Sequence, residues 1–380
     1  MRILFIQVTG GRGGSKNSLL AGLKSLMESH EHRVTVLCGQ EGWFPEECRM
    51  LGVDLVCARL PAWRKAFERL LFSHRLKNAR AALGAREFDV IIANELRWAP
   101  HAVKLAVPTK ARSAVIIRDT NATGRKAGKY GLKRVDAVVC VSRVIRDELE
   151  KIGIPRDRLG TVYNPIVAPR MEATRVPGWK QDRSMTRWVG HIGDLNGRKN
   201  PIEAVYTLFH LRRIDGPHWG LALAGEGEPE YCVRLNRVIR ELGLTDAVVM
   251  LGYVDPVEKV LAQVDAIVLT SVREGLPRTL AEGLMGKTPS FSFGLPGLGE
   301  LYGGFSSMFV PETPSAEKLA RLMLETLSDP ALPATLDELG ERLKARHDPS
   351  TYSERLLAAI SETVPDSETS HAGDDRNRAE

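Results

Sequence analysis

Val135-Asp-Ala-Val-Val-Cys-Val-Ser142 and Val264-Asp-Ala-Ile-Val-Leu-Thr-Ser271 are two copies of one phrase. Each opens on Val-Asp-Ala, runs on through apolar residues and ends on a serine. A run without polar alternation reads as a strand buried on both faces, the habit of parallel sheets covered by helices. Similar runs occur at Ile3–Val8, Arg33–Cys38, Val90–Ala93 and Ala114–Ile117, and again at Arg187–Val189, Gly220–Ala224, Ala247–Leu251 and Ser290–Phe293. Helix-period stretches such as Ser18–Ser29 separate them. The alternation predicts an α/β chain of two Rossmann-like, doubly wound domains facing across a cleft. The expected division is 1–168 for the first domain and 169–347 for the second. A helix over 348–364 is expected to cross back to the first domain, and the polar stretch 365–380 is expected to be a disordered tail.

The 380 residues, 43% apolar and 26% charged, are ordinary for a globular chain with cores of its own. Five cysteines without a Cys-x-x-Cys pair argue against a disulfide framework or a structural zinc site, and fit a reducing compartment. No apolar stretch approaches the ~20 residues of a membrane span, and the start of the chain reads as a first strand rather than a signal peptide. The expectation is a cytoplasmic protein, peripheral at most on the inner face of the cell membrane. Charge is uneven: residues 1–165 hold 29 Lys+Arg against 16 Asp+Glu, whereas the rest is net acidic. The basic half should meet something anionic.

Ligands of open parallel sheets bind at the carboxyl ends of strands, so the loops just after strands are the informative ones. After the strand ending near Leu269 comes Ser271-Val-Arg-Glu274-Gly275-Leu276-Pro277-Arg278-Thr279-Leu280-Ala-Glu282. Pro277 fits the first position of a helix, which leaves the amides of Arg278, Thr279 and Leu280 free to hold a phosphate. Glu282 falls ~200° around the helix from Leu280, off the buried face, and Glu274 lies in the loop before it. Two carboxylates then flank a phosphate site, which suits the hydroxyls of a nucleotide-sugar; two solvated glutamates would look the same. After the strand at Val189 come His191, Arg198 and Lys199, then Asn200-Pro201 as a helix start, with two cations placed to neutralise a diphosphate. The third loop, Gly10-Gly-Arg-Gly13-Gly14-Ser15-Lys16, is a near miss to a P-loop and not a dinucleotide fingerprint.

Together these residues resemble the retaining GT-B glycosyltransferases of family 4, the glycosyl transferases group 1. The likeness runs from about Trp188 to Tyr302 and includes Leu221-Ala-Leu-Ala-Gly-Glu-Gly227, Leu251-Gly-Tyr253, Gly297-Leu-Gly-Glu300 and the spaced pair Glu274 and Glu282. The first half matches more loosely, through Gly13-Gly14, Val139–Ser142 and Val162-Tyr-Asn-Pro165. The resemblance implies that Glu274 holds the donor sugar and Glu282 the ribose. Lys199 and Arg198 would serve the diphosphate, and the stretch Gly275, Leu276, Pro277, Arg278, Thr279 and Leu280 the distal phosphate. Tyr253, His191, Gly13 and Gly14 complete the donor set. His191 stands where the family usually has arginine, and the small residue after the second glutamate is Gly283. Arg118-Asp119 replaces a His-Asp pair on the acceptor side, with Asn94 and Glu95 beside it. The resemblance also implies metal independence and no cofactor beyond the nucleotide-sugar, and the chain contains no Asp-x-Asp.

The expected activity is transfer of a sugar from a nucleotide-diphosphate sugar to an acceptor hydroxyl with retention, in cell-envelope polysaccharide, lipopolysaccharide or glycolipid synthesis. Trp63, Phe67, Leu70 and Leu71 follow helical spacing amid cations from Arg64 to Arg86, and a second basic run spans Arg125–Arg134. These favour an anionic or lipid-linked acceptor at a membrane surface, or else a core helix with solvated cations. Nucleic acid is not expected, since no recognised module accompanies the charge. A nucleotide-sugar epimerase or hydrolase, and a non-catalytic nucleotide-sugar-binding protein, stay open as alternatives.

Overall fold

The computed structural model describes residues 1–63, 66–120, 124–172, 176, 179 and 185–362. The expected tail lies outside them. The described chain falls into two compact units: residues 1–141 and 145–162 with the segment from Thr351, and residues 142–144 with 163–350.

Unit 1 is built on a seven-stranded, all-parallel sheet in the order β3-β2-β1-β4-β5-β6-β7. Its strands are β1 (Arg2–Gln7), β2 (Arg33–Cys38), β3 (Asp54–Cys57), β4 (Val90–Ala93), β5 (Arg112–Ile117), β6 (Ala137–Cys140) and β7 (Leu159–Thr161). Unit 2 carries a five-stranded parallel sheet in the order β10-β9-β8-β11-β12. These strands are β8 (Arg187–Ile192), β9 (Trp219–Ala224), β10 (Val248–Gly252), β11 (Ala266–Leu269) and β12 (Ser290–Ser292). The central strands are buried along nearly their whole length because helices cover both faces. The strand order reverses between β1 and β4 in one sheet and between β8 and β11 in the other, and such a switch point opens a crevice at the strands' carboxyl ends.

The repeated phrase marks β6 and β11, but these strands are not equivalent. In sheet order the counterpart of β11 is β4, the strand on the far side of the switch point. What the copies share is the aspartate before the strand. Asp136 Oδ2 accepts the Ser113 amide at 2.8 Å, and Asp265 Oδ2 accepts the Trp188 amide at 2.7 Å. Asp89, ahead of β4, does the same for the Arg2 amide at 2.7 Å. The aspartate satisfies an amide at the start of a neighbouring strand, so the phrase records a local hydrogen-bonding need.

The last helix, Tyr352–Glu362, packs in unit 1 against the first helix, Gly14–Glu28. Ser25 Oγ donates to Ser353 Oγ at 3.1 Å, and Gly22 lies so close under Tyr352 that an added Cβ would stand 2.4 Å from the ring. The basic stretch after Trp63 is not one amphipathic helix: the described part forms three short ones, Ala66–Leu70, Phe72–Arg75 and Lys77–Leu83. Phe72 is buried and Leu70 is 83% exposed, while Arg64, Lys65 and the Phe67 side chain lie outside the described residues. Among the described residues, no helix is long and apolar enough to cross a membrane.

Candidate active site

The switch point of unit 2 lies between two loops, one after β8 and one after β11. The first runs from Gly193 to Asn200. Asn196 Oδ1 accepts the amides of both Arg198 and Lys199 at 3.1 Å, a turn that fixes the two cations side by side. Gly193 has φ 152°, and a Cβ there would meet Lys199 Cε at 3.1 Å, so the lysine stem lies over bare backbone. The helix Pro201–Asp215 begins at the expected proline. Asn200, however, adopts a left-handed conformation and makes no side-chain cap; its Oδ1 accepts from Tyr231 Oη at 3.1 Å instead. The two loops are joined, since Val272 N donates to the Arg198 carbonyl and Thr270 Oγ1 to the Asn200 carbonyl, each at 2.8 Å.

These joins bring Glu274 to the cations. Its Oε1 lies 2.8 Å from Lys199 Nζ and 3.0 Å from Arg198 Nη1, and accepts from Ser271 Oγ at 2.8 Å. The side chains of Glu274 and Lys199 are only 12% and 13% exposed. Burial pushes the carboxyl up, but Lys199, Arg198 and the hydrogen bonds from Lys199 and Ser271 outweigh it and hold it below the usual glutamate range. Glu274 is therefore a fixed carboxylate.

His191 is fully buried, and neither ring nitrogen makes a hydrogen bond of good geometry, the Val268 backbone being near enough only to oppose the lowering of its value. Burial first, then Lys199, push its value down to about 3, so the ring is neutral. In this structure His191 has no exposed surface, Lys199 acts on it electrostatically, and Arg198 is the more exposed of the two cations.

The helix Arg278–Met285 starts directly after the Glu274 loop. Pro277 occupies the position before its first turn rather than the first helical position, with extended φ/ψ and no side-chain cap. The amides of Thr279 and Leu280 find no partner among the described residues. Leu280 and Leu284 face the core, while Glu282 is off that face, where Arg278 Nη2 reaches its Oε1 at 2.9 Å. Gly275 and Leu276 are buried, and Tyr253, just after β10, is exposed. Unit 2 thus brings together Arg198, Lys199, Glu274, Arg278, Glu282 and an uncapped helix start. Asn196, which orients the cations, was not singled out from the sequence, although an asparagine two and three residues ahead of paired cations is the signature of such a turn.

Gly13, Gly14, Asn94, Glu95, Arg118 and Asp119 belong to unit 1, at the carboxyl ends of β1, β4 and β5. Gly13 precedes the first helix without capping it. Asn94 is fully buried, donating to Gln7 Oε1 at 2.8 Å and accepting from Arg118 Nη2 at 2.7 Å. Glu95 accepts from Ser15 Oγ at 2.9 Å and pairs with Arg97 at 3.2 Å. Arg118 also touches the buried Tyr352 hydroxyl, so its guanidinium is already engaged by the protein. Asp119 is half-buried. Among the described residues, no group of His, Cys, Asp and Glu is arranged to hold a metal ion.

Two switch-point crevices, one furnished with paired cations, a fixed carboxylate and a helix start, define a GT-B type of α/β protein. The comparisons agree. The glycosyl transferases group 1 family matches residues 180–344, and the glycosyl transferase 4-like domain matches residues 17–165. The chain therefore carries a glycosyl transferase 4-like domain followed by a glycosyl transferases group 1 domain. It is similar to N-acetyl-alpha-D-glucosaminyl L-malate synthase of Bacillus anthracis, at 24% identity over 60% of this chain and 59% of that protein. It is also similar to lipopolysaccharide 1,6-galactosyltransferase of Salmonella typhimurium, at 30% identity over 42% of each chain. The matched region thus spans less than two thirds of either relative. In fold it is similar to HepE of Anabaena, solved with UDP and glucose, at a TM-score of 0.76 and 17% identity over 95% of this chain and 99% of that one.

Proposed function

We propose that the protein transfers a sugar from a nucleotide-diphosphate sugar, in the first instance a uridine diphosphate sugar, to an acceptor hydroxyl with retention of configuration, in the synthesis of an envelope glycan. The observation that carries this reading is the Glu274 carboxylate held between Lys199 and Arg198 beside the bare start of the Arg278 helix. Without ligand, Glu274 is the counter-ion of the two cations. A diphosphate arriving at the helix start takes over part of that charge, and Glu274 then accepts hydrogen bonds from the donor sugar. Glu282 serves the ribose, with Arg278 setting its rotamer. As the glycosidic bond breaks, negative charge grows on the diphosphate, and Lys199, Arg198 and the helix amides stabilise it where it develops. The leaving phosphate oxygen takes the acceptor proton, so no side-chain base is required. Support for the nucleotide comes from HepE, whose solved complexes contain UDP and UDP-glucose.

We place the protein in the cytoplasm, with the basic half against an anionic membrane surface. The exposed Leu70 and the cations of Arg125–Arg134 support this. Flotation with acidic-lipid vesicles tests it, and no binding at low salt removes it. The transfer reading is tested by thermal shift with UDP, GDP and ADP and their sugars. Binding of one at 100 times its Kd raises stability by ~2.7 kcal/mol. The same shift in Lys199→Met, or no shift with any of the six, defeats it.

A further inference from the structure

Lys199 is followed by a strained residue. Asn200 has φ 50°, in the left-handed region that is costly for any residue but glycine and least so for asparagine. Its conformation fixes the direction in which the chain leaves Lys199 and enters the helix Pro201–Asp215. Such a residue persists only where its surroundings over-determine it. Two of its partners come from the switch-point loops themselves. The Asn200 amide donates to the Asn196 carbonyl at 2.8 Å, and the Asn200 carbonyl accepts from Thr270 Oγ1 at 2.8 Å. A third partner comes from a different element. Tyr231, in the first turn of the helix Pro229–Glu241, donates its hydroxyl to Asn200 Oδ1 at 3.1 Å.

Tyr231 is 8% exposed, so this bond lies away from water. Burial pushes the phenol up, and the Ile202 backbone in the first turn of the Pro201–Asp215 helix opposes the rise. The hydroxyl therefore sits at the start of that helix, which Asn200 does not cap. The tyrosine is itself firmly moored to the cation loop. Leu195 N donates to the Glu226 carbonyl at 2.7 Å, and Glu228 N to the Leu195 carbonyl at 3.1 Å. A Cβ on Gly225 would stand 2.0 Å from the Gly193 carbonyl oxygen. The backbone leading into the Tyr231 helix thus lies directly against the loop on which the Lys199 stem rests.

We infer that Tyr231 is a positioning residue for Lys199: its hydroxyl holds Asn200 left-handed, and through that backbone sets where the ammonium stands beside Glu274. Tyr231 acts through Lys199 rather than on a ligand. That Lys199 then serves a diphosphate rests on the glycosyl-transfer reading, whereas the coupling of Tyr231 to Lys199 does not.

Calorimetric titration of the full chain with UDP, in a double-mutant cycle of Tyr231→Phe and Lys199→Met, tests the coupling. Phenylalanine keeps the buried ring and removes only the hydroxyl. In the wild-type background Tyr231→Phe should raise the UDP Kd about threefold to tenfold, the effect of losing one hydrogen bond. In the Lys199→Met background the same change should alter the Kd by less than about twofold, because the group it positions is gone. Asn200→Gly breaks the bond from its other side and keeps the left-handed backbone. It should match Tyr231→Phe, and it serves as the folded comparison if the phenylalanine variant is unstable. An equal rise in both backgrounds would give Tyr231 a structural role only, and no rise in the wild-type background would mean that Lys199 keeps its place unaided; either overturns the proposal.

Ring-proton NMR of His191 supplies a readout that needs no ligand, since Lys199 acts on that ring. Lys199→Met and Tyr231→Phe should each move the His191 signals at neutral pH. A protein that ignores UDP but shows both shifts upholds the positioning of Lys199 by Tyr231 and defeats the glycosyl-transfer reading alone. A His191 signal that Tyr231→Phe leaves in place overturns the proposal.

Discussion

Lys199 Nζ stands 2.8 Å from Glu274 Oε1, with both side chains nearly buried and Arg198 closing on the same oxygen from the more exposed side. Removing Lys199 therefore does not strand the carboxylate, because Arg198 and Ser271 remain. Lys199→Met is expected to lower turnover by about 10²–10³, the usual effect of losing one transition-state donor, at a stability cost of only ~1–2 kcal/mol. Steady-state kinetics and thermal melts on the same samples check this. Wild-type turnover would remove Lys199 from the mechanism.

The pair also makes a pH prediction. Glu274 titrates below the ordinary glutamate value of 4.5 in the folded protein. A depressed carboxyl contributes stability that is fully present above the unfolded value and is lost as pH falls through the folded one. The melting difference between wild type and Glu274→Gln should thus be constant above pH ~5 and shrink on further acidification. A constant difference down to pH ~3 would show that the carboxylate gains nothing from its cations.

The ten strands read from the sequence are those with an unbroken apolar run, most of them buried along their length, although the edge strand β10 is only partly buried. β3 and β7, the two edges of the seven-stranded sheet, are missing from that reading because their apolar runs are short and broken. Asp54-Leu-Val-Cys57 is exposed at both ends, and Leu159-Gly-Thr161 is three residues with a glycine inside. Glu274, Arg198 and Lys199 stood out because loops after strands are where ligands bind. Their mutual pairing did not, since the joins through Val272 and Thr270 depend on β8 and β11 being neighbours. Burial set by the tertiary fold is equally hidden in the sequence: Lys16 read as one residue of a glycine-rich turn, and the structure buries it.

Gly283 is more than a small residue after the second glutamate. A Cβ there would stand 2.3 Å from Ile267 Cδ1 and 2.4 Å from Ser290 Oγ, so the Arg278 helix lies directly on β11 and β12. Gly283→Ala should cost ~1–3 kcal/mol by overpacking and displace the helix start that the diphosphate needs. Gly299, with nothing within 4 Å of its added Cβ, supplies the control. Melts and UDP titrations of the two variants should diverge, and a Gly283→Ala protein as stable as Gly299→Ala would show that the helix has room to shift.

Two of the buried histidines, His101 in unit 1 and His191 in unit 2, have strongly lowered values. Burial lowers His191 to about 3, with Lys199 as the next cause, and burial lowers His101 to about 4 against the opposing Pro61 and Trp98 carbonyls. A depressed histidine contributes stability that is complete above its unfolded value and lost as pH falls toward the folded one. Each neutral ring should therefore cost ~1.4 kcal/mol for every pH unit below 6.5. The slope of stability against pH between about 6 and 4 should flatten in His191→Gln and again in His101→Gln, the effects adding because the two sites share no neighbours. Lys199→Met should raise the His191 value, since the cation is the second cause of its depression, and ring-proton NMR would read this directly. An unchanged titration in that variant would mean that burial alone sets the ring's charge and that His191 and Lys199 act independently.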